Sequence, residues 1–279
     1  MITVNQDRSA AARELLDFYE AAGVDAALGE IAVDRLAPAQ APPPEVTTAA
    51  RQTAPSPPPR AEPPQRAPGF ALAPAPASPD IAVMAARETA RSAASLDELR
   101  GLLSKFEGCA LRTTAKQLVF ADGNPGARVM FVGEAPGRDE DIAGLPFVGR
   151  SGKLLDLMIA AIRLDRTGAY IANVIPWRPP GNRTPTPQET QICLPFTLRQ
   201  IELANPDILV CLGGPSSQTL LGVKEGIKRT RGRWFTFHTG TREIRAIATF
   251  HPAYLLRSPL EKRFAWRDLL AISKALDAG

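Results

Sequence analysis

The stretch from Val129 to Asp141, Val-Met-Phe-Val-Gly-Glu-Ala-Pro-Gly-Arg-Asp-Glu-Asp, constrains this chain more than any other. Its apolar start reads as a strand buried on both faces, the kind found inside a parallel sheet. It breaks at once into Gly133-Glu134-Ala135-Pro136-Gly137, residues that permit a tight turn and a close backbone approach to a ligand. Four carboxylates (Glu134, Asp139, Glu140, Asp141) fall within eight positions. Ligands of an α/β sheet bind beyond the carboxyl ends of its strands. An acidic turn at this place is therefore a ligand loop or an ordinary acidic surface, and the remaining chain must decide between them.

Strand-like runs recur at Ala169–Val174, Asp207–Gly213, Trp234–Phe237 and Glu243–Thr249. Helical patterns come between and after them, at Lys153–Ile162, Gln188–Leu203, Ser216–Leu221 and about Leu260–Leu276. Ser95 with Glu98 three residues later has the form of a capping box and starts an earlier helix. Strands alternating with helices imply a parallel sheet covered on both faces. There is no internal repeat.

Composition divides the chain. Residues 1–35 form an N-terminal amphipathic helical segment, with Leu15, Leu16, Tyr19 and Ala22 at helical spacing. Residues 36–90 are a Pro/Ala-rich linker, and 14 of the 27 prolines lie between Leu36 and Asp80. So little apolar surface cannot offset ordering entropy, so disorder with some polyproline character is expected. Residues 91–279, where strands and helices alternate, are the expected α/β domain. The arm and its helical tip either recruit a protein partner or are inert, and both readings stay open.

Hydrophobic residues make up 44% of the chain, enough for a core, yet no run approaches the ~20 apolar residues of a membrane span. Acidic residues near the start (Asp7, Glu14, Asp17) do not resemble a secretory signal. Three cysteines (Cys109, Cys193, Cys211) fit a reducing compartment without a disulfide framework. The expected location is the cytoplasm of a bacterial-type cell, with its DNA, and the expected state is a monomer. Residues 221–279 hold twelve Lys/Arg against five Asp/Glu, a bias that suits a polyanion or merely solvated helices.

Three strand ends project polar groups towards one edge: Glu134 and Glu140 after the first, Asn173 at the second, and His251 after the last. Taken singly, Asn173 could cap a turn, His251 could be a structural histidine and Phe147 a core aromatic. His238, the one other histidine, falls in an expected hairpin.

Five ordered motifs carry a resemblance. Gly133–Asp141, Pro146–Arg150 (Pro-Phe-Val-Gly-Arg), Tyr170–Asn173, Arg178–Arg183 (Arg-Pro-Pro-Gly-Asn-Arg) and His251–Arg257 (His-Pro-Ala-Tyr-Leu-Leu-Arg) together resemble the uracil-DNA glycosylase superfamily, of the family 4 type. The resemblance runs from about Ser95 to Leu276. It implies a three-layer α/β/α fold around a mostly parallel, four-stranded sheet, and uracil-containing DNA, single- or double-stranded, as substrate. Gly133, Ala135, Phe147 and Asn173 would then form the substrate pocket. Phe147 would stack on the flipped base, and the Asn173 amide would pair with the O4 and N3–H edge of uracil. Glu140 is the expected main catalytic carboxylate, with Glu134 beside it and the two roles exchangeable. His251 would donate to O2 of the leaving base. Asp139 and Asp141 are expected to be solvated or helix-capping. Tyr254, Leu255, Leu256 and Arg257 would form the DNA loop, the two leucines as wedge candidates and Arg257 on the gap or a phosphate.

The family type normally carries an iron–sulfur cluster on four cysteines. Here Cys109 and Cys193 stand at two of those positions, whereas Phe106 and Trp177 occupy the other two. Neither aromatic ligates iron, so no metal and no cofactor are expected. No lysine stands in the expected pocket to form a Schiff base, so base excision without a lyase step is expected. Alternatives are a glycosylase for hypoxanthine or xanthine, and a non-catalytic DNA- or partner-binding relative. A dinucleotide-binding domain is weak, because no G-x-G-x-x-G follows the first strand.

Overall fold

A computed structural model describes residues 79–278, all within one unit, Gly69–Gly279. The expected N-terminal helical segment and residues 36–78 of the expected linker lie outside the described residues. The end of that linker needs correction. Pro79–Ser92 is a helix, α1, and the physical reason is a face of Ala82, Ala86 and Ala90 at four-residue spacing, all buried. No further proline occurs until Pro125, and Pro79 itself suits the first helical position.

Two more helices lead to the sheet, α2 (Leu96–Lys105) and α3 (Leu111–Thr114). Ser95 caps α2 by accepting from the Glu98 amide at 3.2 Å, while the Glu98 carboxylate reaches back to the Ala94 amide at 2.7 Å. The strands are β1 (Asp122–Gly123), β2 (Val129–Gly133), β3 (Tyr170–Asn173), β4 (Ile208–Leu212), β5 (Trp234–His238) and β6 (Glu243–Thr249). They form one six-stranded sheet in the order β1-β3-β2-β4-β6-β5. The four central strands are mutually parallel, as expected, and the two edges are short antiparallel additions. The additional strands come from a two-residue bridge at β1 and from the β5–β6 hairpin that contains His238.

The remaining α-helices are α4 (Arg138–Ala143), α5 (Arg150–Ala160), α6 (Pro187–Ala204), α7 (Gly214–Leu221), α8 (Ile227–Thr230), α9 (Pro252–Arg257) and α10 (Lys262–Asp277). No described helix is long and apolar enough to cross a membrane.

Side chains alternate across a sheet with a period of two, and this separates two cores. Met130, Val132, Tyr170, Ala172, Leu209 and Cys211 face one side, with α1, α2 and α6. Val129, Phe131, Ile171, Val210 and Ile247 face the other, with α5 and α10. Asn173 continues the phase of Ile171, and Gly133 that of Phe131. Both therefore belong to the α5/α10 side, at the carboxyl edge where the parallel strands end.

Candidate active site

The carboxyl ends of β2, β3, β4 and β6 open into a cleft of about 660 Å³. Glu134, Phe147, Asn173, His251 and Arg257 all line it, with Gly213 from the end of β4. Gly133 pairs with Asn173 in the β2–β3 register, so the two residues lie side by side. A Cβ at Gly133 would collide with both Asn173 Oδ1 and the Phe147 ring. Glycine is the one residue that leaves these two groups room to meet over the strand end.

Asn173 is 4% exposed, and its Oδ1 has no hydrogen-bond partner among the described residues. A buried, unpaired acceptor is destabilising by about 1–3 kcal/mol. A ligand N–H placed in the cleft would remove that penalty. The Phe147 ring lies 5.4 Å, centroid to centroid, from the His251 ring at an interplanar angle of 32°. An aromatic face and an unpaired amide thus share one small space.

His251 caps α9: its Nδ1 accepts from the Ala253 amide at 3.1 Å. Nδ1 therefore carries no proton, and the neutral ring holds its proton on Nε2. Burial, helped by the positive charge of Arg257, lowers its pKa to about 4. At neutral pH this histidine is an uncharged hydrogen-bond donor.

The two candidate carboxylates differ sharply. Glu140 is 7% exposed and wholly engaged. One oxygen accepts from the Val148 and Gly149 amides at 3.1 and 3.0 Å, the other from the Gly137 amide at 3.0 Å. It ties the turn after β2 to the segment that carries Phe147. Both carboxylates line the cleft, but Glu134 makes no side-chain hydrogen bond or ion pair among the described residues and has its pKa raised by burial. Ala135 lies beside it in the same wall.

Other expectations change with the structure. The acidic segment is not an open loop, because Arg138–Ala143 is helical. Asp141 is buried rather than solvated, and accepts from the Lys116 and Gln117 amides at 2.8 and 3.3 Å. Asp139 is exposed. Leu255 is 1% exposed and packs in the core, so as a wedge candidate it is corrected. Its helix turns that side chain inward, while Leu256 next to it is 37% exposed. Tyr254 stacks on Phe250 at 5.0 Å and lines the cleft with Arg257.

Sequence reasoning assigns no role to the loop from Pro179 to Pro185, part of which lies in the Arg178–Arg183 motif; Asn182 and Arg183 line the cleft. Arg183 is held bidentately by Glu189 at 2.6 and 2.8 Å. It also passed over Gly213-Gly214-Pro215 at the end of β4. The signal was available, since the same strand-end rule that selected Glu134 applies there.

On the opposite face of the sheet, Cys109 and Cys193 are fully buried with their sulfurs 3.8 Å apart. The contact with Cys109, together with burial, raises the pKa of the Cys193 thiol. Phe106 packs edge-on against Phe196 at 5.0 Å, and Trp177 is buried in the same cluster. The donor set here is two thiols and two aromatic rings, which does not fit a four-cysteine iron–sulfur cluster. Among the described residues, no group of three or more His, Cys, Asp or Glu is placed to hold a metal.

Comparison with known proteins agrees with the geometry. The profile of the uracil DNA glycosylase superfamily matches residues 120–270. A type-4 uracil-DNA glycosylase of Archaeoglobus fulgidus is 40% identical over 59% of this chain and 85% of its own length. One from Thermotoga maritima is 42% identical over 56% of this chain and 80% of its own. One from Saccharolobus solfataricus is 37% identical over 66% and 88%. With this match and with the strand ends arranged as described, the chain belongs to the uracil DNA glycosylase superfamily.

Proposed function

We propose that the protein is a monofunctional uracil-DNA glycosylase, which takes uracil out of DNA and hydrolyses its N-glycosidic bond to leave an abasic site. The observation that carries this reading is the unpaired Oδ1 of buried Asn173 beside the Phe147 ring. An amide held there accepts from uracil N3–H and donates to O4. Cytosine presents the reverse pattern at that edge, which leaves buried polar groups unpaired, the situation in which rejection is strong.

The chemistry follows from charge. When the bond between C1′ and N1 breaks, its electron pair leaves with the base, so the sugar becomes cationic and the uracil anionic. His251, neutral and protonated on Nε2, donates to O2 as negative charge gathers there. Glu134 is the carboxylate left free to face the sugar, stabilise its cation and accept the proton of the water that adds to C1′. Glu140 then acts as the clamp of the pocket. This reverses the two exchangeable roles expected from sequence.

Among the described residues no lysine lines the cleft, which supports hydrolysis without a lyase step. Arg257, Leu256 and Tyr254 would meet the DNA, and the enzyme would act as a cytoplasmic monomer without a cluster. The support for a cluster-free protein is Phe106 and Trp177 in the cysteine corner.

The deciding experiment is cleavage of a uracil-containing oligonucleotide, with alkali to reveal abasic sites, by protein whose iron content is measured. Abasic sites produced by iron-free, colourless protein are expected. Bound but uncleaved uracil DNA would overturn the activity, and stoichiometric iron would overturn the cluster-free reading.

A further inference from the structure

Phe147 has φ of +55°, in the left-handed region that a bulky side chain rarely enters. Such a conformation persists only where the surroundings over-determine it, and it collects at functional sites. The surroundings here centre on one guanidinium outside the cleft, that of Arg166 in the turn between α5 and β3. Its Nη2 donates to the Phe147 carbonyl, and its Nη1 donates to the Pro146 carbonyl at 3.1 Å. Its Nε donates to Asp156 on α5 at 2.8 Å, and Nη1 also meets Asp122 on β1 at 2.5 Å. One planar fork thus grips two successive carbonyls and is itself aimed by two aspartates on two elements.

Phe147 is held from its other side as well. Val148 and Gly149 donate to Glu140, and Gly152 lies so close to the Phe147 carbonyl that a Cβ there would overlap it. The amides after Phe147 and the carbonyls at and before it are thereby tied to separate anchors. The ring is left pointing over Gly133 towards His251.

We propose that Arg166, aimed by Asp122 and Asp156, is a positioning residue that holds Phe147 in its left-handed conformation and so sets the stacking face for the flipped base. The inference rests on the glycosylase reading for its kinetic consequence, but not for its structural one. A lysine at 166 keeps the charge yet cannot span both carbonyls and both carboxylates. Displacing a substrate-positioning group by about 1 Å can cost up to about 10²-fold in rate.

The test is a double-mutant cycle of Arg166→Lys and Phe147→Ala, read as single-turnover cleavage with DNA affinity measured separately. Arg166→Lys is expected to slow cleavage by about 10- to 100-fold with affinity within about threefold. In the Phe147→Ala background the same change is expected to cost less than about twofold, because the ring it positions is gone. Equal losses in both backgrounds would overturn the proposal. If Arg166→Lys does not fold, Asp156→Asn serves, with a smaller loss that Phe147→Ala likewise absorbs. A crystal structure of either variant reads the point without activity: Phe147 is expected to leave positive φ, and its retention would overturn the proposal. If the unaltered protein cleaves no uracil DNA, the glycosylase reading fails while the φ of Phe147 still decides this one.

Discussion

The two faces of the sheet handle their unusual residues in opposite ways. On the α5/α10 side, at the strand ends, polar groups stay unpaired: Asn173 Oδ1 has no partner, and Glu134 stands in the cleft wall with burial raising its pKa. On the α1/α6 side, the cysteine corner is closed. Phe106, Trp177, Cys109 and Cys193 are buried among apolar neighbours, and the two thiols satisfy each other. Both regions sit beside the same central strands. An unsatisfied polar group costs stability and makes sense where a ligand completes it. A volume filled by aromatic packing contributes stability and asks for nothing further. The contrast is between a site left open to a ligand and one already filled.

The largest effect should come from opening the closed side. Trp177→Ala removes a buried aromatic and is expected to cost about 3–5 kcal/mol, read by chemical denaturation. Cleavage by the fraction that remains folded should be unchanged. A loss of turnover with stability intact would mean that the cysteine corner takes part in catalysis, and the contrast would fail.

Next come the two carboxylates and the histidine. Glu134→Gln and His251→Ala are each expected to slow single-turnover cleavage by about 10²–10³-fold; Glu134→Gln should change stability little, whereas His251→Ala also removes the cap of α9 and should cost about 0.5–2 kcal/mol. Glu140→Gln should lower stability by about 1.5–3 kcal/mol, since three amides lose a charged acceptor, and should slow cleavage less than Glu134→Gln does. The reverse order of rates would return the main role to Glu140.

The pH profile sharpens the same point. The proposed mechanism needs Glu134 ionised, and burial raises its pKa, so activity should be full at neutral pH and fall as pH drops through that raised value. His251 titrates at about 4 and should add no inflection near its ordinary range. Glu134→Gln should remove the acid limb and leave a low, flat rate. A persistent limb near the ordinary histidine range would assign the titration to His251 instead.

The smallest effect concerns the DNA loop. Leu256→Ala should change stability by less than about 0.5 kcal/mol, as a surface substitution, yet slow duplex cleavage more than single-strand cleavage. Equal slowing on both substrates would remove Leu256 as a wedge.

The four central parallel strands, the two-sided helical cover and the gathering of Glu134, Asn173 and His251 at one edge were all legible in the chain. Apolar runs, turn residues and strand–helix alternation are local signals, and parallel topology forces strand ends to a common edge. That Phe106 and Trp177 stand at cysteine positions of the family type came from the resemblance, while their inability to ligate iron follows from residue type. Three things needed the tertiary structure. One was α1, whose alanine face acquires meaning only against α6. Another was that backbone amides engage Glu140 and leave Glu134 without a partner, because both are glutamates in one acidic run. Three backbone amides lie within 3.1 Å of the Glu140 carboxylate, and two of them come from a segment eight or nine residues further on. The last was the grip of Arg166 on Phe147, 19 residues away along the chain, where nothing in residue type marks that arginine from its neighbours. Residue type decides what a group can do; only the folded chain decides which of its partners are already taken.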